Sequence, residues 1–182
     1  EIDGFRIEGG GNSGDVIDIP ESGTGNTVHV RNSIVRASES ASGSGFINGI
    51  EVVNSGDVAE PASAVIEGND IKIDTGTKGA AINVLSGPTN HDSITIKGNR
   101  LRGDIGGYRD IATLTVKGNE ILPASSAAPN SAMDVSGVDS ATFTDNTFQG
   151  NVGDLAYDDD STSKDNSNTG AASADSVLNN NN

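Results

Sequence analysis

An eight-residue pattern recurs along the chain and limits the folds that the chain can adopt. Ile94–Leu101 (ITIKGNRL) recurs as Leu114–Ile121 (LTVKGNEI) and as Ala64–Ile71 (AVIEGNDI). Looser copies are Ala141–Phe148, where Asp-Asn replaces Gly-Asn, and Phe5–Gly10. The shared pattern is apolar, any, apolar, any, Gly or Asp, Asn, any, apolar. A repeat of this kind predicts one structural unit that is stacked several times.

Each copy predicts a short, half-buried strand that ends in a bend. Apolar residues at alternate positions indicate a strand with one face turned to the core. Gly and Asn readily adopt the left-handed conformation that a bend requires. A second apolar pair follows most copies, as at Ile50/Val52 and Ile82/Val84, so each unit is expected to hold at least two strands. The predicted bends are 20 to 37 residues apart and fall at Gly10, Asn32, Asn69, Asn99, Asn119 and Asn146.

The composition agrees with strands and excludes several classes of protein. Ile and Val together number 30 against 6 Leu, and β-branched residues favour pleated strands over helices. The absence of Cys excludes disulfides and Cys-ligated metal sites. No apolar run approaches the roughly 20 residues that span a bilayer, so no membrane insertion is predicted. The net charge of −15 argues against nucleic acid as a partner, because phosphate binding draws on clustered Lys and Arg.

With these motifs the chain resembles the right-handed parallel β-helix proteins of the pectate-lyase-like superfamily. The resemblance implies an all-β fold, a right-handed parallel β-helix of about six coils. Strands of neighbouring coils in such a fold lie roughly 4.8 Å apart, so each position of the repeat forms a column along the solenoid. The Asn column is expected to bond to the next coil and so to satisfy buried polar groups.

The domain organisation that we predict is a single β-helix segment, residues 1–182, of a longer protein that is truncated at both ends. Residues 158–175 are expected to form a low-complexity, loop-like stretch within it. Ser176–Asn181 (SVLNNN) matches the repeat once more, so a seventh coil is predicted to begin there. A solenoid needs capped ends, and the first copy of the repeat follows Glu1 without a signal peptide or a capping helix.

An acidic column on the second strands is the predicted binding face. Stacked carboxylates about 5 Å apart repel each other unless a cation lies between them. The column therefore predicts a face for a cation or a glycan, with Ca²⁺ as the candidate ion and no other cofactor. A solvated acidic surface is the alternative interpretation. The column consists of Asp18, Glu51, Asn83 and Asp134.

A second acidic group is a weaker metal candidate and lies in the loop-like part of the chain. Its carboxylates offer oxygen ligands of the kind that hard cations prefer. A solvating loop explains the same residues. The group consists of Asp154, Asp158, Asp159 and Asp160.

A column of threonines is a further surface feature of the repeat. Thr95, Thr115 and Thr142 occupy the same position in three copies. A flat Thr array can bind ordered water or ice. The sequence shows no second parallel Thr column, so such a surface is not expected.

Enzymes of this superfamily cleave or epimerise acidic polysaccharides, and each group of them carries its own catalytic motifs. Apart from the Asp run at 158–160, the polygalacturonase-like motifs are missing, and so is the Asp-Pro-His of alginate epimerases. No catalytic residue is therefore assigned, and catalysis within these residues is not expected. The alternative is a segment of a polysaccharide lyase, hydrolase or epimerase whose catalytic residues lie largely outside it.

Repetition without a catalytic set predicts a structural or binding module, such as the shaft of an adhesin, fibre or viral spike. The predicted location is extracellular, at the cell surface or on a virion. Expected partners are a polysaccharide or cell-surface glycan, together with further copies of the chain. The acidic excess, with 11 basic against 26 acidic residues, resembles the composition of proteins from halophilic microbes or their viruses.

Overall fold

The computed structural model describes residues 1–11, 14–20, 26–39, 47–53, 63–74, 79–85, 91–122, 133–148, 162–164 and 167–168. All regular structure in these residues is β-strand. In chain order the strands are β1 (Ile2–Asp3), β2 (Arg6–Gly11), β3 (Gly14–Ile19), β4 (Val28–Arg31), β5 (Ile34–Glu39), β6 (Ile47–Val53), β7 (Ser63–Glu67), β8 (Asp70–Ile73), β9 (Ile82–Leu85), β10 (His91–Lys97), β11 (Arg100–Arg102), β12 (Ile105–Lys117), β13 (Glu120–Leu122), β14 (Met133–Thr144), β15 (Thr147–Phe148), β16 (Thr162–Lys164) and β17 (Ser167–Asn168).

The strands form three parallel faces, and each turn of the chain adds one strand to each face. Face 1 contains β1, β4, β7, β10, the second halves of β12 and β14, and β16. Face 2 runs in the order β2, β5, β8, β11, β13, β15 and β17. Face 3 contains β3, β6, β9 and the first halves of β12 and β14. All the strand pairs are parallel, which confirms the predicted parallel β-helix.

The core is a set of apolar columns that run inside the three faces. Val30, Ile66, Ile96, Val116 and Phe143 are 0% exposed and stack on successive coils of face 1. Face 2 contributes a matching column, and face 3 contributes two short ones. Full burial of such a side chain stabilises the fold by about 1.5 to 3 kcal/mol. A thin core that all coils share explains how a chain with few large apolar residues folds.

A ladder of buried asparagines runs along the bend between faces 1 and 2. Asn99 is typical: its Oδ1 accepts from the Asn69 N–H at 2.9 Å and from Asn69 Nδ2 at 3.0 Å. Its Nδ2 donates to Ile66 O at 2.8 Å and to Asn119 Oδ1 at 3.0 Å. Asn119 repeats this pattern with Asn146. The expected Asn ladder is present, and it satisfies backbone groups that no strand pairing reaches.

The register of the first two coils differs from the predicted one. Ile2 pairs with Val30, so the first bend lies at Gly4 (φ 74°) and not at Gly10. In the second coil Asn32 holds the left-handed position (φ 50°), and Ser33 takes the ladder position, where its N–H donates to Asn69 Oδ1 at 2.9 Å. The pattern was misaligned because the first two coils carry other residues where later coils carry Asn.

The end of the described chain also differs from the prediction. β16 and β17 lie inside residues 158–175, the stretch expected to be loop-like, and pair with β14 and β15. Ser163 pairs with Phe143 and Asn168 with Phe148, so polar residues stand where earlier coils carry apolar ones. That exchange removed the alternation that a strand prediction needs. Residues 176–182, where the seventh coil is predicted, lie outside the described residues.

Charged side chains on the outside join neighbouring coils. Lys97 Nζ lies 2.8 Å from Glu67 Oε1 on face 1. On face 2, Arg36 Nη2 lies 2.7 Å from Asp70 Oδ2, and Arg100 Nε lies 3.0 Å from Glu120 Oε2. Exposed pairs of this kind contribute about 0 to 1 kcal/mol each. Their effect is therefore mainly on the register between coils.

Gly49 is a position where the packing leaves no room for a side chain. A Cβ at this residue would lie 2.6 Å from Ala81 O and 2.7 Å from Ile71 Cγ2. We expect Gly49→Ala to lower the free energy of unfolding by about 2 to 3 kcal/mol, because the backbone of two coils must move apart. Urea unfolding followed by circular dichroism measures this loss.

The matched control for this substitution is Gly98→Asn. Gly98 has a φ of 61° with no atom within 4 Å of an added Cβ, and Asn32 and Asp145 already occupy the equivalent bends with positive φ. Asn tolerates the left-handed conformation, so the expected change is below about 1 kcal/mol. Equal effects of the two substitutions would contradict the close approach at Gly49.

Candidate functional site

The predicted acidic column lies on face 3, where Gly106, a residue that the prediction left out, interrupts it. Asp18 pairs with Glu51, and Glu51 pairs with Asn83, on three successive coils. Asn83 pairs with Gly106 on the next coil, and Gly106 in turn pairs with Asp134 on the coil after that. The structure thus brings Asp18, Glu51 and Asn83 together and separates Asp134 from them by one coil. The intervening coil was overlooked because Gly107 replaces the second apolar residue of the pattern there.

Glu51 is the centre of a polar cluster that joins three coils. Although it is acidic, only 8% of its surface is exposed. Asn48 Nδ2 donates a short hydrogen bond to Glu51 Oε2 and another to Asp15 Oδ1 at 2.9 Å. Asn83 Nδ2 lies 3.4 Å from the same Glu51 oxygen. We call Asp15, Asn48, Glu51 and Asn83 the Glu51 cluster.

The local backbone holds Asn48 in position for these contacts. Asn48 is 5% exposed, and its Oδ1 accepts from the Ala80 N–H of the next coil at 2.8 Å. The next two residues, Gly49 and Ile50, donate their N–H groups in succession to Ala80 O and Ala81 O, which interrupts the alternation of the strand, and Asn48 and Glu51 both reach the cluster. With its acceptor used by the backbone, the Asn48 amide directs its donor atoms at the two carboxyl groups.

The electrostatics of the cluster favour a protonated Glu51. Burial, together with the hydrogen bond and the negative charge of Asp15, raises the pKa of the Glu51 carboxyl from 4.5 to about 7. The amide donors of Asn48 and Asn83 act in the opposite direction on this pKa. A carboxyl group that titrates near neutral pH can donate or accept a proton under physiological conditions.

Asp15 and Asn48 are members of the site that the sequence did not indicate. Each lies three residues before a column member, Asp18 and Glu51 respectively. Strict alternation would place residues three apart on opposite sides of a strand. The irregular backbone at Gly49 was the missing information, because the alternation rule assigns Asn48 to the wrong side.

The carboxylates that the structure describes do not assemble a larger metal-binding group. Within these residues, no group of three or more Asp, Glu or His is placed to hold a metal ion. The second acidic group, Asp154 and residues 158–160, lies outside the described residues. Ca²⁺ binding on the acidic column therefore stays a prediction from the sequence.

The two histidines belong to the framework of face 1. His91 is 0% exposed at the start of β10, and its Nε2 lies 2.8 Å from Leu85 O. His29 Nδ1 accepts a hydrogen bond from Arg31 Nη2 at 3.0 Å. Neither imidazole lies in the Glu51 cluster.

No protein-family model, no curated protein and no solved structure matches this chain. In the described part of the chain, no helix is long and apolar enough to cross a membrane.

Proposed function

We propose that this chain is a β-helical structural and binding module, the shaft of an extracellular or virion-surface protein such as an adhesin, fibre or spike. The observation that carries the proposal is the continuous register of three faces on coil after coil. Such a rod holds surface groups at fixed spacings along its length. Its charged side chains also support this role, because several of them bridge neighbouring coils.

The ligand that we propose for this module is a glycan, bound on face 3 at the acidic column. Asp18 is exposed and Asn83 is half-buried, so both offer polar atoms to a ligand on this face. Planar carboxylate and amide groups bond sugar hydroxyls as acceptors and donors. Glu51, Asn48 and Asp15 support this face from two neighbouring coils and give it a fixed arrangement.

Glycan binding is tested with immobilised polysaccharides and with an array of cell-surface glycans. We expect the intact chain to bind at least one of them, and Asp18→Ala and Asn83→Ala to weaken that binding. Asp92→Ala removes an exposed carboxylate from face 1 and serves as the control with unchanged binding. Binding that is the same in all three variants would contradict the assignment to face 3.

A second candidate function, a part of a polysaccharide lyase, hydrolase or epimerase, is favoured by one observation. The Glu51 carboxyl has a pKa of about 7 and adjoins the acidic Asp15. Acid–base catalysis on sugars uses a carboxyl group with a raised pKa beside a second acidic side chain. In this role Glu51 would move a proton, and other groups of the enzyme would complete the reaction.

The enzyme candidate is tested by incubating the protein with acidic polysaccharides. Release of unsaturated uronides, seen as near-ultraviolet absorbance, or of new reducing ends would support it. Glu51→Gln would then abolish the release, whereas Glu67→Gln on face 1 would not. The shaft proposal expects no product from either protein.

A further inference from the structure

Face 1 carries two parallel columns of hydroxyl side chains, where the sequence showed only one. Thr95, Thr115 and Thr142 pair in register across three coils. Two residues earlier in each strand, Ser93 pairs with Thr113, which pairs with Ser140. On β7, Ser63 continues the second column, and Val65, which has no hydroxyl group, stands at the position of the first. The sequence pattern did not indicate the second column because three of its four members are Ser and not Thr. These eight residues are called the hydroxyl face.

The hydroxyl face is a regular two-dimensional array. Its members alternate with Ala64, Ile94, Leu114 and Ala141, which are at most 1% exposed, so the hydroxyl-bearing side chains all point outward. Pairing between β7, β10, β12 and β14 is in register over this region without a shift. Neighbouring strands lie about 4.8 Å apart, and two residues along a strand span about 6.6 Å. The side chains therefore repeat with these two spacings across four coils.

The charge of the face selects the kind of ligand. The chain has a net charge of −15, yet all eight positions of the hydroxyl face are neutral on the four coils where the structure describes both columns. The charged Glu67–Lys97 pair lies beyond the column of Thr95, Thr115 and Thr142, at its border. A regular array of neutral donors and acceptors is complementary to a neutral lattice and offers no charged group to an ion.

We propose that the hydroxyl face binds ice, through a layer of water molecules that it orders. Hydroxyl groups hold bridging water at nearly the enthalpy of a direct hydrogen bond, and the Thr methyl groups between them restrict the orientation of the adjoining water. The spacings of the face are comparable to those between oxygen atoms in a plane of hexagonal ice. A rigid β-helix already holds these side chains in place, so binding does not carry the entropy cost of ordering them.

A crystalline polysaccharide is the other flat, neutral lattice that such a face could meet, and the composition of the face disfavours it. Sugar rings pack on aromatic side chains, and none of the eight residues is aromatic. Short hydroxyl side chains at a constant height suit a layer of water molecules. Ice binding is independent of the glycan site, since that site lies on face 3.

The experiment is a measurement of thermal hysteresis and of ice recrystallisation with the intact chain. We expect the wild-type protein to separate the freezing and melting points and to inhibit recrystallisation. Thr115→Tyr and Thr95→Tyr, each placing a bulky ring in the column of Thr95, Thr115 and Thr142, should lose most of both effects. Circular dichroism and melting temperature show whether each variant is folded. The two variants are made separately, so that the test can be read if either of them folds.

The matched control is Thr147→Tyr, which adds the same ring at an exposed threonine of face 2 and should retain full activity. Three results would overturn the proposal. They are a wild-type protein without hysteresis or recrystallisation inhibition, full activity in a folded Thr115→Tyr or Thr95→Tyr protein, and retention on crystalline cellulose or chitin in the absence of any effect on ice.

Discussion

Asn99→Ala is expected to lower the free energy of unfolding by about 3 to 5 kcal/mol, the largest effect of any substitution considered for this chain. The change removes four side-chain hydrogen bonds and leaves the Asn69 N–H and the Ile66 carbonyl without these partners. Each buried group that loses its partner costs about 1 to 3 kcal/mol. Equilibrium unfolding in urea, followed by far-ultraviolet circular dichroism, measures the loss.

The control for the ladder is the neighbouring residue, Arg100. Arg100→Ala removes an exposed ion pair with Glu120, and such a pair is worth at most about 1 kcal/mol. Asn99→Asp keeps the volume but exchanges a donor for a buried charge, so it should be more destabilising at pH 7 than at pH 4. The ladder would be unimportant for stability if Asn99→Ala and Arg100→Ala unfolded at the same urea concentration.

Glu51→Gln is expected to stabilise the protein at pH 8 by up to about 3 kcal/mol. The pKa of Glu51 is about 7 in the folded protein and 4.5 without the effects of the fold. Between these values the folded state binds more protons than the unfolded state, so the wild-type free energy of unfolding falls as the pH rises through 7. Glutamine is neutral at every pH and avoids the cost of ionising a buried carboxyl group. Thermal unfolding at pH 5, 6, 7 and 8 measures the difference.

Glu67→Gln is the control for this pH dependence. Glu67 is exposed, and its pKa is lowered by the hydrogen bond and charge of Lys97. A lowered pKa adds stability that is present above pH 4.5 and lost as the pH falls below it, so Glu67 contributes no change between pH 5 and 8. The Glu67→Gln protein should keep the wild-type profile in this range. A flat wild-type profile from pH 5 to 8 would show that Glu51 is not buried as described.

The fold could be predicted from the sequence because the pattern that indicates it recurs along the chain. Each of Asn69, Asn99 and Asn119 follows a glycine and two alternating apolar residues, and several copies of a weak pattern outweigh local ambiguity. The pattern failed where a coil carries other residues, as at Phe5 and Ser33 in the ladder positions. It failed again at β16, where polar residues replace the apolar ones.

The candidate surfaces were harder to predict from the sequence, because they depend on which side chains lie next to each other on neighbouring coils. The sequence placed Glu51 in a column, but the Asn48 amide that bonds it comes from an irregular strand at Gly49. It identified one column of the hydroxyl face, but not the serines beside it. Each of these neighbours is set by the register between coils, and loops of unequal length hide that register in the linear chain.

The sequence by itself determined the architecture of this protein: the recurring Gly-Asn bends and the alternating Ile and Val specify short strands, their stacking and a thin core, since these features depend on local conformation and burial. Only the tertiary structure decided the chemistry of the surfaces. The raised pKa of Glu51 and the two-column hydroxyl face arise from side chains that are 20 or more residues apart in the chain and meet through strand pairing. Burial and proximity of this kind are properties of the assembled coils.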